Sequence, residues 1–236
     1  MTELRTPPVD DGDLFSERAR QYAGERPVDV IHVLEAGCGW GTGLDLGDRE
    51  HEVTGVDLDT PALRAHSAAR TDLQSCHLGD LRTVPMPPRA YDVVHAPFLI
   101  ERVPNAELVL DRFVAALKPG GLLLVRLRDR GTAFGFLDRT LPEPLWRSRA
   151  HDAPPRAVYD KVASRRGMRW YCVMRGLVIT EEYTGRDCLD AFGAGSGLAG
   201  GLCRTVAALT RGRLSADHSE VTLVIRKPEN RFARVI

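Results

Sequence analysis

The chain is expected to fold as one α/β domain: a three-layer αβα sandwich around a mostly parallel seven-stranded sheet, its last strand antiparallel, with a small cap. Three observations point there. Val- and Leu-rich runs of strand length alternate with helix-like stretches through the first half, as in a parallel sheet flanked by helices. A dense glycine turn, with Gly37, Gly39, Gly41 and Gly43, stands directly behind the first such run. Two late strand-like runs then follow the alternating part, which lets the final strand return antiparallel beside the one before it. A length of 236 residues with 43% hydrophobic content is enough for one substantial core.

In chain order, residues 13–24, which include SERARQYAG, read as an amphipathic N-terminal helix. Buried parallel strands are expected at 29–37, 51–59, 91–98 and 121–128, and a weaker one at 74–80. The helix at 60–70 opens with Thr60 as N-cap and Pro61 at its first position, and the helix at 105–121 runs into a Pro-Gly-Gly stop. Residues 129–165 hold prolines and aromatics in no clear period and read as an irregular, partly helical cap. A helix at 162–175, a strand at 177–183, a glycine-interrupted helix near 197–210 and a strand at 219–227 complete the domain, 1–236.

Composition excludes several classes. No window approaches the length of an apolar membrane span, and the N-terminus lacks a basic-then-apolar leader, so a cytoplasmic protein is expected. The five cysteines form no C-x-x-C pair, which speaks against a zinc site or disulfide framework. A formal net charge of zero disfavours a dedicated nucleic-acid binder. The charge is uneven, however: residues 126–175 carry twelve basic side chains against five acids. That surplus is either ordinary solvated surface or a seat for an anionic substrate.

The glycine turn decides more. A dinucleotide fingerprint, G-x-G-x-x-G, would need glycine at 42, where this chain has Thr42, and no G-K-[S/T] follows to make a P-loop. Glu35, at the end of the strand, would also set a carboxylate beside any polyphosphate. A cationic or neutral ligand fits better.

The segment VLEAGCGWG resembles the E/D-x-G-x-G-x-G signature of class I S-adenosylmethionine-dependent methyltransferases, whose fold is Rossmann-like. The ligand chemistry agrees, because S-adenosylmethionine offers an ammonium, a sulfonium and a ribose diol but no phosphate. The resemblance implies that Glu35 faces the methionine end while the backbone of Gly37, Cys38, Gly39 and Gly41 passes beneath the ligand. It further implies that Asp57, closing VTGVDLD, accepts both ribose hydroxyls, and that Leu58 packs on the adenine. In LGDL, Asp80 would take the adenine amino group and Leu81 would give its backbone N–H to the ring. His95 and Ala96, in YDVVHAPF, would pass the sulfonium, and Tyr22 matches a position that can reach the methionine carboxylate. Relatives often carry Glu-His after the fourth strand; here it is Glu101-Arg102, which bears on acceptor chemistry rather than on the cofactor.

Substrate candidates are Phe98, Glu101, Arg126 and Arg128, with the two arginines suited to a carboxylate or phosphate on the acceptor. His151, Tyr159, Tyr171 and Glu182 are weaker candidates for a base and read more simply as core or surface groups. The expected activity is methyl transfer to a small-molecule acceptor, oxygen ahead of carbon or nitrogen. The alternatives are another reaction of the same cofactor, namely cyclisation or aminocarboxypropyl transfer, a non-catalytic methyltransferase-like partner subunit, or RNA methylation. No metal is expected, and the oligomeric state is left open.

Overall fold

The structure, a computed structural model, describes residues 11–26, 29–39, 43–141 and 157–229. Among them the helix α1 (Asp11–Glu25) precedes an alternating set: β1 (Ile31–Ala36), β2 (His51–Asp57), α2 (Pro61–Ala69), β3 (Ser75–Leu78), β4 (Tyr91–Pro97), α3 (Ala106–Ala116) and β5 (Leu117–Arg128). Then come α4 (Ala133–Thr140), α5 (Arg165–Arg175), β6 (Val178–Gly185), the short α6 (Asp187–Asp190), α7 (Ser196–Leu209) and β7 (Glu220–Arg226). The seven strands form one sheet in the order β3-β2-β1-β4-β5-β7-β6. Every neighbouring pair from β3 to β5 is parallel, and β7 lies antiparallel between β5 and β6. No helix of the described residues is long and apolar enough to cross a membrane.

The two faces of the sheet follow from the period of two along each strand. Leu34, Val94, Ala96, Leu123 and Val125 pack toward Phe113 and Leu110 of α3 and Met168 and Tyr171 of α5. Their alternates Val33, Val93, Leu122 and Leu124 pack toward Phe15, Ala19 and Tyr22 of α1. A third cluster joins Phe134 and Leu137 of α4 to Leu189 and to Ala199 and Cys203 of α7. The described part of the cap is therefore anchored on the C-terminal helices.

Local signals set the element ends. Thr60 accepts the N–H of Leu63 at 3.2 Å and Pro61 opens α2, as the sequence indicates. Helix α3 stops at Ala116, earlier than the Pro-Gly-Gly stop suggests, and the chain from Leu117 is already extended. Pro119 explains this, because it bars the helical conformation of the residue before it and offers no N–H of its own. The start of α3 uses no side chain of its own either. Asn105 is left-handed with φ 54°, and the Ala106 N–H is instead accepted by Asp160 at 2.9 Å, from the C-terminal end of the cap.

The turn behind β1 is not followed by a helix: residues 43–50 are irregular. Gly43 and Gly47 both have positive φ, and Asp45 draws the Gly47 N–H onto its own carboxylate at 2.8 Å, closing a local turn in place of a helical one. The segment is tied down by α1 instead, through Ser16, which accepts the Asp45 N–H at 3.0 Å, and through the fully buried Leu46.

Candidate functional site

Two buried carboxylates stand at the C-terminal ends of adjacent parallel strands, Glu35 on β1 and Asp57 on β2. The turn between them is forced into its shape by glycine. Gly37 has φ +90° and donates to the Val56 carbonyl at 2.8 Å. At Gly39 a Cβ would lie 2.3 Å from Leu63 of α2, so nothing larger fits without moving that side chain. The Gly39 N–H donates to Asp57 at 3.0 Å and the Leu58 N–H to its other oxygen at 2.7 Å. Burial pushes the Asp57 carboxyl upward, opposed by those two backbone donors.

Glu35 is in register with His95 of β4, and both lie on the α1 face of the sheet. His95 rests edge-on against Phe15, with ring centroids 5.4 Å apart, and its Nδ1 makes no hydrogen bond. Burial, with a smaller contribution from the nearby Arg70 cation, pushes its pKa down to about 3, so the imidazole is neutral. Arg70, which closes α2, reaches over the turn. It donates to the two oxygens of Glu35 at 3.0 and 2.8 Å and to the Cys38 carbonyl at 3.0 Å, and it also binds Asp72.

The remaining cofactor candidates divide by what they present. Cys38 offers backbone only: its thiol is buried 3.9 Å from Cys76 Sγ, and a Cβ on Gly55 would meet it at 2.7 Å. Ala96 and Leu81 likewise turn their side chains into the core on the α3 side and leave only main chain for a ligand. Leu58 is partly buried against that same core. Asp80 is exposed, paired with Arg82 through Nε at 2.9 Å and Nη2 at 2.6 Å, and the Arg82 side chain holds its carboxyl down at about 2. Gly41 and His151 fall outside the described residues.

Tyr22 does not join this group. Its hydroxyl is 3.4 Å from Asp92, at the opposite end of β4 from Pro97, and its ring belongs to the core under α1. Because α1 runs against the strands, its first turns reach the site and Tyr22, two turns on, does not. Phe15 is the residue of this helix that touches a site side chain.

On the acceptor side, Arg126 and Arg128 project on the α1 face at the end of β5. They do not offer uncompensated charge to an anion. Arg126 binds Asp187 and, at 3.2 Å, Glu220, and its guanidinium lies 4.8 Å from the centre of the Phe98 ring; Arg128 binds Asp138 at 3.2 Å. Elsewhere in the basic segment Arg165 and Arg169 pair with Glu182, and Arg175 pairs with Asp111 and Glu107. Among the described residues, five of the twelve basic side chains of 126–175 are thus paired with acids, Arg128 with one inside the segment and the other four with acids outside it.

Glu101 differs from these acids. It is fully buried and neither carboxylate oxygen makes a hydrogen bond, while burial pushes its carboxyl upward against the pull of Arg102 and Arg128. The backbone around it is strained, since Phe98 and Tyr159, both aromatic, have φ of 51° and 55°. The N–H groups of Val158 and Tyr159 clamp the Glu101 carbonyl at 2.7 and 2.8 Å, and the Tyr159 hydroxyl donates to Asp138 at 2.6 Å. Tyr171 and Glu182 stand apart from this cell: Tyr171 donates to Asp111 at 2.9 Å and Glu182 is held by two arginines, so both are structural. Sequence reasoning missed Arg70, Phe15 and the Tyr159–Asp138 pair. No local signal marks them, because each meets the site across a long sequence separation.

Comparison with known proteins agrees with this geometry. The family described as "Methyltransferase domain" matches residues 34–125, from β1 through most of β5. A probable S-adenosylmethionine-dependent methyltransferase of Mycolicibacterium smegmatis is 37% identical over 101 residues, covering 42% of this chain and 39% of that one. A trans-aconitate 2-methyltransferase of Rhodopseudomonas palustris is 34% identical over 116 residues, covering 47% and 44%. The similarity therefore spans about two fifths of the length of these relatives. In the solved S-adenosylmethionine-dependent methyltransferase of Mesorhizobium loti the fold is shared at a TM-score of 0.52 and 15% identity, over 91% of this chain and 99% of that one. Residues 34–125, which carry the glycine turn and both strand-end acids, are thus similar to the methyltransferase domain family, and the described residues share their fold with a solved S-adenosylmethionine-dependent methyltransferase.

Proposed function

We propose that this protein transfers the methyl group of S-adenosylmethionine to a small-molecule acceptor. One observation carries the reading: two buried carboxylates, Glu35 and Asp57, flank a turn whose glycines admit close approach of a ligand to the backbone. That donor set repels phosphate and suits an ammonium at Glu35 and a diol at Asp57, each of whose oxygens keeps acceptor capacity beyond its one backbone N–H. Gly37, Cys38, Gly39 and Gly41 would pass beneath the ligand, Leu58, Asp80 and Leu81 would meet the adenine, and His95 and Ala96 would line the sulfonium end. When bound, S-adenosylmethionine supplies a methyl group already activated on sulfur. What remains for the protein is to align the acceptor, exclude water and receive a proton.

Phe98, Glu101, Arg126 and Arg128 are the acceptor-side residues in this reading. A hydroxyl or protonated amine must shed one proton on methylation. Glu220, Asp187 and Asp138 are engaged by other groups, whereas the carboxylate oxygens of Glu101 accept no hydrogen bond and suit that role. The relative named a trans-aconitate 2-methyltransferase supports a small acceptor, with oxygen as the first atom to test; the pairing of Arg126 and Arg128 with acids gives no reason to restrict the search to anions.

The test is a calorimetric titration with S-adenosylmethionine and S-adenosylhomocysteine, with NADH as control, followed by a methyl-label screen of small alcohols, acids and amines. Micromolar binding of the first two alone, and label transfer with S-adenosylhomocysteine as product, are expected. Methylthioadenosine as product would replace methyl transfer by cyclisation or aminocarboxypropyl transfer. No binding at all would leave a non-catalytic subunit.

A further inference from the structure

The seat that Glu35 offers to a cation is already taken. Arg70 grips both carboxylate oxygens, at 3.0 and 2.8 Å, and adds the Cys38 carbonyl in the glycine turn at 3.0 Å. Glu35 is 1% exposed, so this guanidinium neutralises a carboxylate that water does not reach. Gly43 makes room for it: a Cβ there would lie 3.0 Å from Arg70 Nη2, and φ is +79°. The same guanidinium also holds Asp72 through Nε and Nη2, and that carboxylate is half exposed.

We propose that Arg70 is a built-in competitor for the cation seat at Glu35, displaced onto Asp72 when a ligand bearing an α-ammonium binds. This rests on the cofactor reading given above. The exchange is physically economical. In either state the buried Glu35 has one cation beside it, so no step leaves a bare carboxylate in the interior. Asp72 sits two residues from Arg70, at the surface, and retains it in both states, which makes the swing short and two-state. The consequence is selectivity: a ligand that brings no ammonium gains nothing by evicting Arg70, so the amino-acid end of the ligand, rather than the nucleoside, controls the switch.

The experiment compares S-adenosylhomocysteine, which has the α-ammonium, with 5′-methylthioadenosine, which lacks the whole amino-acid end, by calorimetry on the wild type, Arg70→Ala and Asp72→Ala. Arg70→Ala is expected to bind S-adenosylhomocysteine about tenfold more tightly, as when Glu35 is open in only about a tenth of wild-type molecules, and methylthioadenosine unchanged. Asp72→Ala removes the alternative seat and is expected to weaken S-adenosylhomocysteine alone. Because Asp72 is half exposed, that variant also serves if Arg70→Ala, checked by circular dichroism, fails to fold. Weaker S-adenosylhomocysteine binding by Arg70→Ala with methylthioadenosine spared would overturn the proposal and make Arg70 a clamp on the ligand carboxylate. Equal changes for both ligands would overturn it in favour of a purely structural arginine. Failure of all three proteins to bind either ligand would instead remove the cofactor reading itself.

Discussion

Asp57 shows how much a single carboxylate in this site carries. It is buried rather than at an open mouth, and it fixes the glycine turn by accepting the Gly39 N–H. Replacing it with alanine therefore has two expected effects: loss of S-adenosylhomocysteine affinity, and a fold less stable by about 1–3 kcal/mol because a buried N–H loses its acceptor. Asp57→Asn keeps one acceptor oxygen but turns its NH2 toward the other of the two backbone N–H groups, so it is expected to recover only part of the stability while still weakening the ligand at least about tenfold, since a charge-assisted bond becomes a neutral one. Calorimetry and thermal unfolding of both variants separate the two effects. His95 gives a pH signature. Its folded pKa lies near 3, well below the unfolded value, so between those values only the unfolded chain binds the proton. The stability present above the unfolded pKa is then lost as pH falls toward 3, by at most about 1.4 kcal/mol per pH unit from this group. Urea unfolding at pH 7 and pH 5 measures it, and His95→Leu is expected to flatten the difference by that amount.

The elements owe their ends to a mixture of local and distant groups. Helix α2 is capped by its own Thr60, whereas α3 borrows Asp160 at its start. At its C-terminal end, Lys227 from beyond β7 donates to the carbonyls of Val114, at 2.6 Å, and Leu117. Asp160→Ala is expected to destabilise the fold by about 1 kcal/mol, as loss of an N-cap does, while Asn105→Gly, which keeps the left-handed backbone, costs less because the Asn105 side chain makes no capping bond. Chemical denaturation of the two variants decides whether the borrowed cap is the one that counts. The same segment clamps Glu101, so the α3 start and the acceptor cell share one support.

At the scale of the whole molecule, charge is arranged between elements rather than along them. Five arginines of 126–175 meet acids on α3, α4, α6, β6 and β7, so part of an apparent basic tract is spent in internal ion pairs. A basic groove for RNA would show a steep loss of affinity with salt, through counterion release. The expectation here is weak RNA binding without such a slope, read from filter binding of a structured RNA between about 50 and 200 mM salt. A slope of several units would overturn this and revive RNA as the acceptor. Burial of Glu101 and the strained backbone at Phe98 and Tyr159 likewise arise only when β4, β5 and the C-terminal end of the cap close on one another.

The sheet was legible in the chain because its strands are continuous Val- and Leu-rich runs, whereas the face taken by Leu34, Val94 and Leu123 against Val33, Val93 and Leu122, all apolar, was settled only by packing. The glycine turn and the acids at 35 and 57 were legible for the same reason, each being fixed relative to a strand end. Three other things were not. The irregular course of 43–50 reflects the positive φ of Gly43 and Gly47 and the local turn that Asp45 closes. The place of Tyr22 depended on which way α1 runs across the sheet, which no spacing within the helix encodes. The state of every charged group, Arg70 on Glu35, Arg126 on Glu220 and Glu101 alone, depended on contacts between residues far apart in sequence, and these exist only once the chain has folded.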